Sequence, residues 1–405
     1  MINPMRISVI ALLSFLASFS QTGHGITITY WEEERREVQE SLDLVTADYM
    51  KANPGVKVER VHFKTEDLRK QYQTATIAAA GPDLLLAPND FAGVFAAMGT
   101  ILPFDKSTDF SRFPKVLVEA ISGGTGKHWG VPINFGSHLM LFANTKLMPD
   151  VPSTWEEIIK QGKLFTKPQE QQFALAFNLR EPYWYVPFMG LFGGRPLPER
   201  TPNLGGKDNI KALQFVSDLK HTHKILPGSC DYSCADTLFV EGKTALTING
   251  DWAVPKYEKA LGKRLAILPL PSLAATKRHA EPMLSAKFLM VNINLVKKKK
   301  KLSAVKKFVE FMVAPATQKK LTELTRRLPA LNKLLSSPQV QKDPVLKAVY
   351  AATEHGYPMP MAVEMRAVWD AIRPQLQAVL SQQTAPEKAA KRMQSDAERK
   401  LKSLR

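Results

Sequence analysis

The sequence predicts an α/β protein of two domains, with parallel or mixed sheets flanked by helices and a helical C-terminus. Strand-like apolar runs alternate with helix-period segments up to about Leu302, a pattern that favours sheets covered on both faces. The chain has 405 residues, whereas a single core stops growing at roughly 250–300 residues. Beyond Leu302 the strand runs cease and helical spacing takes over.

The first strand opens at Ile26, where Ile26, Ile28 and Tyr30 alternate with Thr27 and Thr29 before Trp31. Val38, Leu42, Val45 and Tyr49 then recur at helical spacing, and Asn53-Pro54-Gly55 ends that helix. Val56, Val58 and Val61 read as a second strand, and Leu68, Tyr72, Ala75 and Ala79 as a helix stopped by Gly81-Pro82. Leu84 to Leu86 suits a strand buried on both faces. Further strands are expected at Val131 to Phe135, Leu139 to Ala143, Phe173 to Leu179, Ala245 to Ile248, Leu265 to Leu268 and Phe288 to Ile293. Thr154-x-x-Glu157 is a capping box that opens a helix. The lysines after Val296 form an exposed turn before a helix.

Arg6 precedes an apolar stretch from Ile7 to Phe19, and Ser20, Thr22 and Gly23 follow. This is the pattern of an export leader, residues 1–25, cut near Ser20 or Gly25. No cysteine stands there to carry a lipid, so the mature chain is expected free in the periplasm. No later run approaches the ~20 apolar residues that span a bilayer.

The formal net charge is +17, but the basic residues are scattered apart from Lys297 to Lys301 and the tail from Lys388 to Lys402. No interleaving of aromatic and basic residues points to nucleic acid, and a solvated basic surface is expected. Cys230 and Cys234 are the whole cysteine set. In an oxidising compartment they pair as a disulfide closing a very small loop. The alternative joins them to His221 and His223 around zinc, at a spacing unlike common zinc sites. The catalytic signatures G-x-S-x-G and H-E-x-x-H are absent, as are a P-loop and a G-x-G-x-x-G between strand and helix. No enzyme activity, metal or cofactor is therefore expected.

Six segments come in order: Gly81 to Gly93 (GPDLLLAPNDFAG), Gly126 to Phe135 (GKHWGVPINF), Val151 to Ile158 (VPSTWEEI), Phe177 to Pro187 (FNLREPYWYVP), Phe239 to Val254 (FVEGKTALTINGDWAV) and Ala367 to Pro374 (AVWDAIRP). In this order the chain resembles the extracellular solute-binding proteins of ABC importers, in the maltodextrin-binding class, from about Ile26 to the C-terminal helices. The resemblance implies the two-lobed type II periplasmic binding fold, with ligand held between the lobes. The first lobe would comprise 26–133 and 286–330, and the second 134–285 and 331–405. The crossings would fall near Asn134 to Leu139, Glu281 to Ser285 and Arg327 to Asn332.

A sugar ring has an apolar face and a rim of hydroxyls, so aromatic planes and polar side chains hold it together. By resemblance Tyr183, Trp252 and Trp369 are stacking rings, and Glu181 and Asp90 accept hydroxyls. The first lobe departs from the class. Ala87 and Phe91 flank Asp90 where the pattern has a tryptophan and an arginine, and the acidic contact after Pro132 has no counterpart in Asn134 to Ser137. The loop Glu32 to Arg36 either supplies polar contacts or is the charged start of a helix. Trp31, Trp129, Trp155 and Trp184 carry no such match, and Trp155 is read as a packing residue.

The implied role is a monomeric periplasmic binder that delivers a di- or oligosaccharide to membrane permease subunits and has no nucleic-acid partner. The altered first lobe and the positive charge leave open an anionic or peptide-like solute. A receptor subunit that senses without transport is a further alternative.

Overall fold

The computed structural model describes residues 25–105 and 107–404, so the expected leader lies outside the described residues except for Gly25. A six-stranded sheet runs in the order Val56–His62, Ile26–Glu32, Leu84–Pro88, Lys287–Asn292 and Ile101–Leu102, and Val131–Pro132 also pairs with Lys287–Asn292. Ile26–Glu32 is parallel to both neighbours, with Ile28 opposite Val58 and Tyr30 opposite Leu84. Lys287–Asn292 is antiparallel to its partners, with Leu289 opposite Leu86. Leu84, Leu85 and Leu86 are fully buried, as expected of a strand with helices on both faces.

The second sheet has four strands in the order Phe173–Phe177, Thr244–Gly250, Leu139–Asn144 and Leu265–Leu268. The first two are parallel and the remaining pairs antiparallel. Thr154 caps its helix as the sequence predicts, its hydroxyl accepting from the Glu157 amide at 3.3 Å. The long helices Glu364–Leu380 and Pro386–Leu404 pack together at the C-terminus.

The structure shortens some expected strands and adds others. The run from Val131 to Phe135 is strand only at Val131–Pro132, because the following residues leave the first sheet for the second. The run from Phe173 stops at Phe177, not Leu179. Ile101–Leu102 and the ribbons of Ser272–Leu273 with Arg278–His279 and Met283–Leu284 with Tyr357–Pro358 have two-residue strands, too short for any period to show. Three residues of the lysine run are already helical, in Lys299–Met312.

The chain passes between the sheets after Pro132, between Leu268 and Lys287, and again after the helix Pro315–Thr325. These passages lie side by side. The amide of Phe135 donates to the Leu328 carbonyl at 2.9 Å, and Gly136 and Ser285 exchange amide-to-carbonyl bonds of 3.0 and 2.8 Å. Gly136 has φ of +120°, and a Cβ there would stand 2.7 Å from the His138 ring, so only glycine fits this junction.

Cys230 and Cys234 form a disulfide with Cα atoms 5.2 Å apart. Cys230 precedes the helix Tyr232–Val240, so the pair does not share one helical turn as its spacing suggests. With each sulfur bound to the other, the zinc alternative fails, and His221 Nε2 instead lies 3.0 Å from the Leu380 carbonyl.

Trp155 is fully buried against Phe188 and Phe215, with ring centroids at 5.3 and 5.4 Å. Trp155→Ala should therefore cost about 3–5 kcal/mol of stability in urea unfolding. It should leave ligand affinity near the wild-type value, and a large loss of affinity in a folded variant would contradict this packing role.

Candidate functional site

Between the two sheets lies a cavity of about 420 Å³. Asp90, Glu181, Tyr183, Trp252 and Trp369 all line it, so the fold brings together the five side chains singled out from sequence.

The aromatic wall comes from three separate elements of the second lobe. Tyr183 lies in the short helix Pro182–Tyr185, and its hydroxyl donates to the Ser137 carbonyl of the first crossing at 2.5 Å. Trp252 occupies the turn Asp251–Ala253 that ends the strand Thr244–Gly250. Its ring folds back on Gly250, where a Cβ would come within 2.2 Å, so glycine there allows the indole to lie flat against the backbone. Trp369 projects from the helix Glu364–Leu380. The Tyr183 ring centroid is 6.3 Å from that of Trp252 and 6.4 Å from that of Trp369. Trp184, unmatched by motif, sits beside this wall, its indole N–H donating to the Ile248 carbonyl at 3.0 Å.

The opposing wall is polar. Asp90 stands in the first turn of the helix Asn89–Ala97, directly after the strand Leu84–Pro88. Buried Asn89 fixes this turn: its amide donates to the Ala120 and Met359 carbonyls at 2.7 and 2.6 Å, and its oxygen accepts from the Ser285 hydroxyl at 2.6 Å. One Asp90 oxygen accepts from the Trp369 indole N–H at 3.3 Å, while the other is buried without a partner among the described residues. Burial raises the Asp90 pKa to about 6, against the opposing pull of the Trp369 N–H and the Lys287 ammonium.

The loop after the first strand carries both features read from sequence: Glu33, Glu34 and Arg35 line the cavity, and the helix Arg36–Ala52 begins directly after them. Glu32 turns away to a 2.6 Å ion pair with Arg60. Glu33 pairs with Lys287, the first residue of the strand Lys287–Asn292, and Glu34 with Arg327 on the third crossing at 2.7 Å. The Arg327 Nε faces Asp251 at 3.9 Å. Burial alone would raise the Glu34 carboxyl, but Arg327 and Lys287 outweigh it and hold it below its ordinary range. Burial likewise pulls Lys287 down, and Glu33 and Glu34 reverse that.

Contacts reach across the cleft at its mouth. Arg366 of the second lobe pairs with Glu66 of the first at 3.1 Å, and Arg35 lies 4.3 Å over the Tyr232 ring. Glu181 is tied to Arg373 at 2.9 Å, one turn beyond Trp369 on the same helix. Lys287, Arg327 and Arg373 are cleft residues that were not singled out as ligand contacts, although Arg373 lies in the AVWDAIRP segment and Arg327 opens the third expected crossing. The sequence signal of Lys287 is only a charge at the edge of an apolar run, which ordinarily marks solvent.

The cavity wall carries the carboxylates of Glu33, Glu34, Glu66, Asp90 and Glu181 against the cations of Arg35, Lys287, Arg327 and Arg373. The chain's excess positive charge is thus not focused on the cleft. Apolar rings facing hydrogen-bonding groups suit a neutral, hydroxyl-rich molecule.

A solved structure titled maltose/maltodextrin-binding domain MalE from Bdellovibrio bacteriovorus bound to maltotriose superposes with a TM-score of 0.87 at 32% identity, covering 93% of this chain and 100% of the other. The maltotriose-binding protein of Pyrococcus abyssi is 24% identical over 367 residues, covering 89% of this chain and 79% of its own. The maltooligosaccharide ABC transporter solute-binding lipoprotein of Streptococcus pneumoniae strain R6 is 27% identical over 324 residues, covering 76% of this chain and 74% of its own. The family model for bacterial extracellular solute-binding proteins matches residues 45–348. Cleft, two-sheet topology and sequence agree, and the chain belongs to the bacterial extracellular solute-binding proteins.

Proposed function

We propose that this protein binds a maltodextrin-like di- or oligosaccharide between its lobes and delivers it to the permease subunits of an ABC importer. The observation that carries this reading is the wall of Tyr183, Trp252 and Trp369 facing a buried Asp90 oxygen that has no partner. The rings offer apolar planes to pyranose faces, and the free oxygen requires a donor such as a sugar hydroxyl. The relatives' named ligands, maltotriose and maltooligosaccharides, point to the same class. The near balance of charge around the cavity argues against an anionic solute.

In this reading the sugar stacks first on the second lobe, and the first lobe then rotates about the crossings to bring Asp90, Glu33 and Lys287 onto it. The protein works as a monomer in the periplasm, released from its leader without a lipid anchor, and takes no nucleic-acid partner. It leaves the glycosidic bond intact. Glu181 is held by Arg373, and the carboxylates serve as hydroxyl acceptors.

Calorimetric titration with maltose, maltotriose and a panel of other oligosaccharides should show saturable binding to at least one α-glucan. No response to any sugar would refute the carbohydrate assignment. Trp369→Ala should weaken the best ligand by more than about tenfold, equivalent to ~1.4 kcal/mol. An unchanged dissociation constant would remove Trp369 from the site.

Binding should also depend on pH through Asp90. Sugar hydroxyls donate more strongly to the ionised carboxylate than to the neutral carboxyl, so bound ligand draws its pKa down from about 6. Affinity is then full above that pKa and falls as the pH drops through 6 toward 5. Asp90→Asn should bind more weakly at pH 7.5 and lose most of this dependence. A flat wild-type profile between pH 5 and 7.5 would contradict the role.

A further inference from the structure

The Cys230–Cys234 bridge encloses only Asp231, Tyr232 and Ser233. Closing so short a loop removes little chain entropy from the unfolded state, so a large gain in global stability is not what it supplies. Its surroundings suggest another role. The Cys230 carbonyl accepts from the Leu179 amide at 3.0 Å, which ties the turn to the segment leading into Glu181 and Tyr183. The Asp231 carboxylate accepts from the Cys234 amide at 2.9 Å and caps the helix that Tyr232 opens. Tyr232 is thereby held from both sides, by the bridge together with these bonds and the Ala235 amide donating to the Asp231 carbonyl at 3.1 Å.

The Tyr232 ring has a neighbour on each side of the cleft. On its own lobe it stands edge-on to Trp184, with centroids 6.1 Å apart, and Trp184 in turn meets Trp252 at 6.0 Å. From the other lobe the Arg35 guanidinium covers it at 4.3 Å. Arg35 belongs to the loop that carries Glu33 and Glu34, so a cation seated on Tyr232 holds that loop over the ligand.

We propose that the disulfide is a positioning element of the cleft: it presets Tyr232 as the platform on which Arg35 of the first lobe closes, so that ligand affinity depends on the bridge. This rests on the oligosaccharide-binding reading, and Tyr232 and Arg35 act in it as positioning residues for the closed state. The alternative is a purely local staple whose removal touches only the turn.

The test is a double-mutant cycle on the full-length mature protein, read by calorimetric titration of maltotriose, with thermal midpoints recorded in parallel. Cys230→Ser/Cys234→Ser should weaken maltotriose binding roughly three- to tenfold, and Arg35→Ala by a similar factor, from the expected strength of a partly exposed cation–π contact. The combined variant should lose little more than either alone, because both changes break the same contact. Tyr232→Phe, which keeps the ring, should preserve the coupling. Unchanged affinity in the Cys230→Ser/Cys234→Ser protein, or losses that simply multiply, would overturn the proposal, whatever happens to the thermal midpoint. Arg35 is exposed, so its variant keeps the test valid should the serine pair fold poorly.

Hydrogen exchange of the proteins saturated with whichever sugar of the panel binds best, the state in which Arg35 closes on Tyr232, separates this proposal from the ligand assignment. Removing the disulfide should speed exchange at residues 33–38 across the cleft as well as at 230–235. Faster exchange confined to 230–235 would overturn the proposal even if maltotriose binds, and coupled exchange would sustain it even if another sugar proves to be the ligand.

Discussion

Two sheets have to be held in register if a ligand is to be gripped between them, and one buried apolar cluster already joins Leu85 and Phe288 of the first to Met140 and Phe142 of the second. In this chain the register comes from the passages between the sheets, which hydrogen-bond to one another as a short ribbon. Phe135 is joined to Leu328, and Gly136 to Ser285, by main-chain bonds. The junction is also where ligand-side groups are anchored. Ser137 accepts the Tyr183 hydroxyl and donates its amide to Asp251, and Asn134 accepts from the amide of Lys287. The same ribbon thus anchors groups of both walls of the cleft.

Charge then does in the first lobe what rings do in the second. Glu34, Arg327 and Asp251 are nearly fully buried, and buried ions are costly unless paired. Here they are paired with one another across strand end, crossing and turn, so the polar wall is ordered before ligand arrives. Such preorganisation reduces the entropy lost on binding. It also sharpens selectivity, because a ligand that fails to satisfy a group such as the unpartnered Asp90 oxygen leaves it buried and unpaired.

Much of this was legible in the sequence, for reasons particular to each element. Leu84 to Leu86 and Leu265 to Leu268 announce themselves as apolar runs between turn signals, and Thr154 with Glu157 marks a helix start by its own chemistry. Tyr183, Trp252 and Trp369 could be named because each lies in one of the six ordered segments, at a position where the resemblance places a stacking ring. Lys287, Arg327 and Arg373 were not named, although Arg373 lies in the AVWDAIRP segment and Arg327 at an expected crossing. Lys287 begins a strand, Arg327 follows another arginine at a helix end, and Arg373 occupies a polar helical position. Only the crossing topology brings Lys287 and Arg327 beside Glu33 and Glu34, more than 250 residues away in sequence. The two-residue strands were invisible for a different reason, since a period cannot be read from one repeat.

The account as a whole rests on a pyranose chain lying against the second-lobe rings with the first lobe closed over it. Co-crystallisation with maltotriose tests this most directly. The account predicts sugar rings stacked on Tyr183, Trp252 and Trp369, with a hydroxyl donating to the oxygen of Asp90 that now lacks a partner. An empty cleft at saturating maltotriose, or sugar bound away from those rings, would contradict it.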